Sequence, residues 1–154
     1  MKKIIIEGDH KIATEVIDQI ALWDKAIIRQ QVDTLIGYCS EKVSLFDVSS
    51  QIDGIQEYRK EWEKLSPYFS QHIDILRRNI KLHIATDLAV MHCLTKVVDV
   101  ASETTLVPWC RTTLCLQKPQ QHWLVVHQHI SIPINMQTGN IILIKDQPKL
   151  RLVV

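Results

Sequence analysis

The spacing of apolar residues changes partway along the chain. In the first half, apolar positions recur every three or four residues, whereas from about residue 71 onward they alternate with polar positions. A repeat of about 3.6 residues is typical of a helix with one buried face, and a repeat of two is typical of a strand with one buried face. The pattern therefore predicts helices followed by strands.

Two long helices carry the first pattern. One apolar stripe consists of Ile12, Val16, Ile20, Trp23 and Ile27, and the other of Ile55, Tyr58, Trp62, Leu65 and Phe69. Asp9 is placed to cap the first helix, and Pro67 is expected to stop the second. Between them we predict a short helix over residues 32–39, a short strand over 43–47, and a turn at Asp53-Gly54.

Four strands are predicted from the second pattern. The first has Leu76, Arg78, Ile80, Leu82 and Ile84 on one face, and the others cover residues 88–100, 105–117 and 121–132. The apolar register slips near Arg77-Arg78, which indicates a bulged or solvated segment. Short polar connections at 86–87 and 118–120 are typical of hairpin turns, so the strands should pair antiparallel.

These elements predict one α+β domain spanning residues 1–154, in which about three N-terminal helices pack on a curved antiparallel sheet. Such a sheet is concave, and its open end is a natural pocket. Residues 134–154 form a C-terminal extension, for which we expect a turn at 138–140 between short strands at 141–145 and 150–154. A reasonable role for it is to cover a sheet edge.

Composition narrows the possible partners. The 18 Lys and Arg residues nearly balance the 17 Asp and Glu residues, for a net charge of +1, so nucleic acid and anionic membrane are not expected partners. The apolar run Ile4-Ile5-Ile6 is too short for a signal peptide or a spanning helix. Four cysteines without a CxxC pair are typical of reduced thiols, which favours a cytoplasmic protein.

The order of landmark residues resembles the SnoaL-like branch of the nuclear-transport-factor-like superfamily, which also contains ketosteroid isomerases and the hub domains of calmodulin-dependent kinases. The matching positions are Trp23, Ala26, Asp33, Tyr38, Phe46-Asp47, Gly54, Trp62, Arg111-Thr112-Thr113 and the segment W-x-x-V-H-x-H-x-S-x-P from Trp123 to Pro133. They place the family core at residues 12–133. The resemblance implies a cone-shaped roll of three helices on a curved sheet, commonly dimeric through the outer sheet face.

Asp47 is the first candidate for chemistry, because it ends the short strand near where the resemblance places a catalytic carboxylate. A carboxylate in an apolar pocket is suited to act as a general base. Two alternatives remain: Asp47 caps the following turn, or Phe46 occupies the pocket position. Tyr38 and Tyr58 could supply a hydrogen-bond donor. The second acid of the ketosteroid isomerases has no counterpart at a matching position, so their full mechanism is not expected.

His127 and His129 alternate on the last strand and therefore point to the same side, together with Trp123 and Val125. They could bind a ligand or a metal, but no third metal ligand is evident from spacing, and we predict no metal. The alternate face, with Ile130, is more apolar. That difference favours the histidines on the outer, dimer-forming surface, while a position in the pocket stays open.

Arg111 could hold a carboxylate through two hydrogen bonds or form an ion pair between strands or subunits. Trp23, Trp62 and Trp109 are the aromatic residues expected to line a cavity, although the first two also suit a simple core. No phosphate-binding loop, nucleophile elbow or metalloprotease motif occurs, so no cofactor is predicted.

Two functions follow from these observations. The first is a domain that binds a small apolar or carboxylate-bearing molecule in the cone, with isomerase-like or hydratase-like acid–base chemistry at Asp47. The alternative is a non-catalytic association module similar to the kinase hub domains, which forms a homodimer through the face that carries His127, His129 and Arg111.

Overall fold

The structure, a computed structural model, describes residues 3–69 and 71–147. Its elements in chain order are β1 (Ile4–Glu7), α1 (His10–Ile28), α2 (Val32–Gly37), β2 (Cys39–Phe46), β3 (Gln51–Asp53), α3 (Ile55–Leu65), a short 3-10 helix (Ser66–Tyr68), β4 (Ile73–Ile84), β5 (Leu88–Asp99), β6 (Thr104–Gln117) and β7 (Leu124–Ser131). The α+β class and the order of helices before the long strands are confirmed.

The two long helices form where the apolar stripes predict them. At the start of α1, a carboxylate oxygen of Asp9 accepts the backbone N–H of Ile12 at 2.9 Å, which confirms the predicted cap. Val16 and Trp23 on its stripe are buried, as is Tyr58 on α3. These side chains share one apolar core with residues from the inner face of the sheet, so burial of the stripes fixes the helices against the strands.

Two local boundaries differ from the predictions. The short helix ends at Gly37 rather than at residue 39, because Cys39 already begins β2. The strand expected at 43–47 is the second half of β2, and Asp47 lies just beyond its end. Pro67 lies in the 3-10 helix directly after α3, which confirms the predicted stop.

The sheet has seven strands in the order β1-β4-β5-β6-β7-β2-β3 and does not close. The hairpins from β4 to β7 are antiparallel, as predicted, but β1 pairs with β4 and β2 pairs with β7 in parallel. The expectation of a purely antiparallel sheet is therefore wrong. Short turns force antiparallel pairing, whereas β1 and β2 reach their partners through long segments that impose no such direction.

A β-bulge interrupts β4. Arg78 pairs with Leu94 and Lys81 with His92, so Asn79 and Ile80 together face a single residue of β5, and Asn79 has a φ of 54°. The extra residue exchanges the two faces of the strand. The predicted register slip is confirmed, but the prediction that Leu76 and Arg78 share a face with Ile80 and Leu82 is wrong.

Ile73, Ile75 and Arg77 instead continue the inner face that Ile80 and Leu82 resume after the bulge. Arg77 is only 7% exposed, so of the two predicted alternatives for this segment, bulged or solvated, the bulge is the one found.

A second bulge lies in β7. Cys115 of β6 pairs with His127 and Leu116 pairs with Val125, which leaves Val126 as the additional residue. Val125 is buried in the core, and after the bulge Gln128 and Ile130 point inward in its place. Trp123 and Val125 therefore do not share a face with the two histidines, contrary to simple alternation.

The chain after β7 crosses the outer face of the sheet. The backbone carbonyl of Lys145 accepts a hydrogen bond from Arg78, and Asp146 accepts one from the indole nitrogen of Trp109. Of the predicted strand at 141–145 only an isolated bridge between Ile141 and Ile134 forms, and the strand predicted at 150–154 lies outside the described residues. Where it is described, the extension lies on a sheet face rather than along an edge. Among the described helices, none combines the length and apolarity needed to cross a bilayer.

Candidate functional site

A cavity of about 260 Å³ lies between the helices and the inner face of the sheet. Its wall is mainly aromatic and aliphatic, and the side chains that contribute most of this apolar surface are Trp23, Ile27, Leu45, Trp62, Leu65, Phe69, Ile73, Ile75, Val97, Val107 and Ile130. Val48 also lines it and is 52% exposed, so the cavity opens to solvent beside the turn between β2 and β3. An apolar cavity with a few polar groups is the usual form of a small-molecule site.

The polar side chains of the wall come from α3, from each of the strands β4 to β7, and from the turn after β2. They are Asp47, Glu61, Arg77, Thr95, Cys110, Thr112 and Gln128. Of these, Thr112 and Gln128 are buried on the inner face of the sheet, whereas Asp47 and Glu61 are half-buried near the opening. The cavity thus has an apolar body, a polar patch on the sheet and two carboxylates toward solvent.

Asp47 lies at the cavity with one oxygen already engaged. Its Oδ1 accepts the backbone N–H of Val48 at 2.7 Å, and its own backbone N–H bonds to the carbonyl of Ser50 at 2.9 Å. The two interpretations of Asp47 from sequence are therefore compatible, because the residue closes the turn and also lines the cavity. Phe46 does not replace it, since Phe46 points to the outer face and is 48% exposed.

Arg77 forms a buried ion pair with Asp24 of α1 at the cavity wall. Its Nε and Nη2 reach the two carboxylate oxygens at 3.0 and 2.5 Å, and its Nη1 donates to Thr95 Oγ1 at 2.8 Å. Burial alone would lower the pKa of Arg77, but the attraction and hydrogen bonds of Asp24 outweigh it and raise that pKa. The guanidinium charge is therefore neutralised by the protein itself.

Tyr58 lies behind the cavity rather than in its wall. Its hydroxyl donates to Gln128 Oε1 at 3.3 Å, and burial raises the pKa of this phenol well above its usual value. Burial likewise raises the pKa of the neighbouring Cys39 thiol to about 12, so both groups stay protonated at neutral pH. Tyr58 thus orients the Gln128 carboxamide, which does line the cavity.

Cys110 is a second thiol of interest because it lines the cavity. Its Sγ donates to the carbonyl of Pro108 at 3.1 Å. Burial raises its pKa, and the negative charge of Asp47 raises it further. The thiol is therefore a weak hydrogen-bond donor here and a poor nucleophile.

Several predicted site residues are not brought to this cavity. Trp109 and Arg111 lie on the outer face of β6, where Trp109 stacks under the guanidinium of Arg78 at 4.3 Å and Arg111 is exposed. Tyr38 is half-buried at the junction of α2 and β2 and packs against the core without contributing to the cavity wall. The expectation that all three tryptophans surround one opening is thus wrong for Trp109, because Cys110 and Thr112 take the inward positions of that strand.

His127 and His129 also lie on the outer face, where they flank Phe46. The centroid of the Phe46 ring lies 5.0 Å from that of the His127 ring and 5.6 Å from that of the His129 ring. The Oγ of Ser44 is 2.7 Å from Nδ1 of His127. Within the described part of the chain, no group of three or more His, Cys, Asp or Glu side chains is placed to hold a metal ion. Whether the two histidines or Arg111 bind anything stays a prediction.

Among the residues that sequence reasoning missed are Glu61, Arg77 and Gln128 in the cavity wall and Asp24, which pairs with Arg77. For Gln128 the signal was present, because it lies next to Ile130 on the strand face that apolarity assigned to the interior. For Arg77 the signal was its position two residues after Ile75 and four after Ile73, which places all three side chains on one strand face. Nothing in the sequence indicated that Asp24 would reach it.

Within the described residues, three α-helices and a curved, open, seven-stranded sheet, with a cavity between them, give an α+β domain with the NTF2-like fold. The chain belongs to the SnoaL-like domain family, whose sequence model matches residues 16–135. The resemblance seen in the sequence is therefore confirmed. Among curated proteins, none matches the chain.

Solved structures support the fold. An NTF2-like protein of unknown function from Pseudomonas putida KT2440 has a TM-score of 0.80 at 22% identity, covering 91% of this chain and all of its own. A proposed dehydratase of the NTF2-like family from Streptomyces avermitilis has a TM-score of 0.69 at 13% identity, covering 79% of this chain and 95% of its own. A proposed ketosteroid isomerase from Shewanella frigidimarina has a TM-score of 0.63 at 14% identity, covering 74% and 92%.

Proposed function

We propose that this domain binds a small, largely apolar molecule in the cavity and that Asp47 moves a proton on it. The observation that carries this proposal is a carboxylate with only one oxygen engaged by the turn, in the wall of a largely apolar cavity. A carboxylate in such surroundings can accept a proton from carbon or oxygen, and isomerisations and dehydrations both require that step. The similarity to a proposed isomerase and a proposed dehydratase agrees with this reaction class.

Gln128 supplies the complementary polar contact. Because Tyr58 donates to its Oε1, the two N–H donors of its carboxamide are left for a ligand. An amide donor aimed at a carbonyl oxygen stabilises the negative charge that develops when a neighbouring C–H loses its proton to Asp47. The substrate class that fits is a compact carbonyl compound with an acidic C–H, and in an isomerisation the protonated Asp47 returns the proton at another carbon.

The test is proton exchange. Cyclic ketones and enones are incubated with the protein in D2O, and deuterium incorporation next to the carbonyl is followed by NMR. We expect exchange above the buffer rate, and a loss of about 100-fold or more in Asp47→Asn, since a positioned base contributes about 10²–10⁴-fold. Asp18→Asn, an exposed change on α1, is the matched control. Full exchange activity in Asp47→Asn would remove Asp47 from the mechanism.

A second variant tests the cavity itself. Ile130→Trp places a large ring where a wall residue now stands, so it should abolish binding of every compound while the fold is retained. Binding is measured as a rise in melting temperature, because a ligand of the folded state stabilises it by mass action. Unchanged binding in a folded Ile130→Trp variant would place the ligand elsewhere.

The second candidate function, a non-catalytic association module, rests on the outer sheet face. Phe46 is 48% exposed between two half-buried to exposed histidines, an arrangement that a second copy of the chain could cover. We propose a homodimer through this face, next to the part that the C-terminal extension covers. Sedimentation velocity tests it: the chain should sediment as a dimer, and His129→Asp should give a folded monomer. A wild-type monomer at all concentrations would refute it.

A further inference from the structure

The charges around the cavity indicate which class of ligand it accepts. Two carboxylates, Asp47 and Glu61, line it near the opening. Within residues 3–69 and 71–147, neither carboxylate forms an ion pair, although seven pairs between Lys or Arg and Asp or Glu are present elsewhere. A half-buried carboxylate without a cationic neighbour attracts a cation more strongly than an exposed one does, because less water screens it.

No free positive charge balances these carboxylates in the described wall. Arg77 is the cation that lines the cavity, and Asp24 neutralises it through two hydrogen bonds. Two of its three remaining N–H donors are also used, since Nη1 donates to Thr95 Oγ1 and to Cys93 Sγ at 3.7 Å. Arg111, the residue expected to bind a carboxylate, lies on the other side of the sheet. An anionic ligand would therefore enter a negatively charged opening and find no unpaired cation in the described wall.

Aromatic rings add a second attraction for positive charge. Trp62 and Phe69 line the cavity together with Glu61, and their ring centroids are 6.5 Å apart. The faces of such rings attract ammonium groups, and indole does so most strongly. Carboxylates at the opening and aromatic rings next to them form a suitable environment for an alkylammonium group attached to an apolar body.

We propose that the ligand of this cavity is a compact, largely apolar carbonyl compound that also carries an amine, bound in its ammonium form, and that it carries no carboxylate. Glu61 binds the ammonium group, the aromatic and aliphatic wall binds the apolar body, and Asp47 stays available for proton transfer. This inference rests on the proposed function, because it names the ligand class of the same cavity. It replaces the carboxylate-bearing ligand expected from sequence.

Three probes with the same ring system test the charge preference directly: 2-naphthylmethylamine, 2-naphthylmethanol and 2-naphthoate. Binding is measured by quenching of tryptophan fluorescence, since Trp23 and Trp62 line the cavity, and by thermal shift. We expect the amine to bind roughly tenfold more tightly than the alcohol, because a charge-assisted hydrogen bond is stronger than a neutral one. The carboxylate should bind more weakly than the alcohol, and added salt should weaken the amine alone.

Two variants assign the preference to residues. Glu61→Gln should lower the affinity for the amine roughly tenfold, to that of the alcohol, and leave the alcohol unchanged. Glu63→Gln, an exposed change on the same helix, is the matched control and should change neither affinity. Asp24→Asn leaves the Arg77 charge unneutralised, so in this variant the carboxylate should gain affinity relative to the amine.

The outcomes separate this inference from the proposed function. Equal binding of amine and alcohol, or tightest binding of the carboxylate, overturns the amine preference while leaving a functional cavity. An amine preference that survives in Glu61→Gln overturns the role of Glu61. Absence of binding by all three probes counts against the cavity as a ligand site, and the proposed function fails together with the inference.

Discussion

The buried ion pair between Asp24 and Arg77 allows a quantitative prediction. We consider the change Asp24→Asn, which keeps the shape of the side chain and one acceptor but removes its charge. Asp24 is 19% exposed and Arg77 8% exposed at the side chain, so the guanidinium left behind would face the protein interior and the cavity. It would keep its bond to Thr95 at 2.8 Å but lose its counter-ion.

The magnitude follows from the burial of the remaining charge. Removing one partner of a buried ion pair costs about 3–5 kcal/mol, because the other charge stays desolvated without compensation. The retained acceptor and the water accessible through the cavity place this case at the lower end, about 3 kcal/mol. In a domain of this size each kcal/mol lowers the melting temperature by about 2–4 °C, so a decrease of about 6–12 °C is expected.

Urea unfolding of four proteins is the appropriate assay: wild type, Asp24→Asn, Arg77→Met, and the double variant. The double variant should be more stable than the sum of the single effects predicts, by about 2 kcal/mol, since it leaves no unpaired charge. Asp18→Asn, an exposed change on the same helix, should lie within about 0.5 kcal/mol of wild type. Equal stabilities of Asp24→Asn and Asp18→Asn, or additive effects in the double variant, would refute the reasoning.

Three further predictions concern other parts of the chain. Asp9→Ala removes the cap of α1 and should lower the free energy of unfolding by about 1 kcal/mol in urea titrations. Gly8→Ala should destabilise the protein by more than the Asp9 change, because Gly8 has a φ of 122° and an added Cβ would collide with the backbone carbonyl of Ile84; a smaller effect would contradict this account. Asp47→Asn should speed alkylation of Cys110 by iodoacetamide at pH 8, because the Asp47 charge helps to raise the pKa of that thiol and its removal increases the thiolate fraction. Peptide mass spectrometry measures that rate. Cys115, on the outer face of β6, is the control, and its alkylation rate should not change.

The elements that sequence predicted well are those with long, regular apolar repeats. The stripes of α1 and α3 and the alternation in β5 and β6 depend on local spacing, and burial of one face is enough to specify them. β1 was missed because four residues, Ile4–Glu7, give too short a pattern, and their role depends on pairing with β4. The parallel pairings of β1 with β4 and of β2 with β7 depend on tertiary contacts that periodicity does not encode.

The candidate site was less predictable because two bulges exchange the strand faces. Alternation correctly placed Ile130 inward and favoured the outward position of His129. It wrongly placed Trp123 on the same face as the histidines, because the extra residue at Val126 reverses the alternation of side chains along β7. The position of Asp47 at the cavity was expected from the resemblance. The presence of Glu61 in the same cavity wall was not expected, because the direction in which a helical carboxylate points depends on how α3 packs on the sheet.

The parallel pairings of β1 with β4 and of β2 with β7 also have a consequence for folding during synthesis. Ile4 pairs with Ile80, 76 positions later, and Ser44 pairs with His127, 83 positions later, whereas the strands from β4 to β7 are joined in sequence by short turns. At about 5–20 residues per second, a ribosome needs about 4–15 s to produce the partner of β1 after β1 itself. Until then the isoleucines of β1 have no strand to pair with, so the nascent chain carries this hydrophobic segment unprotected while the next 76 residues are added.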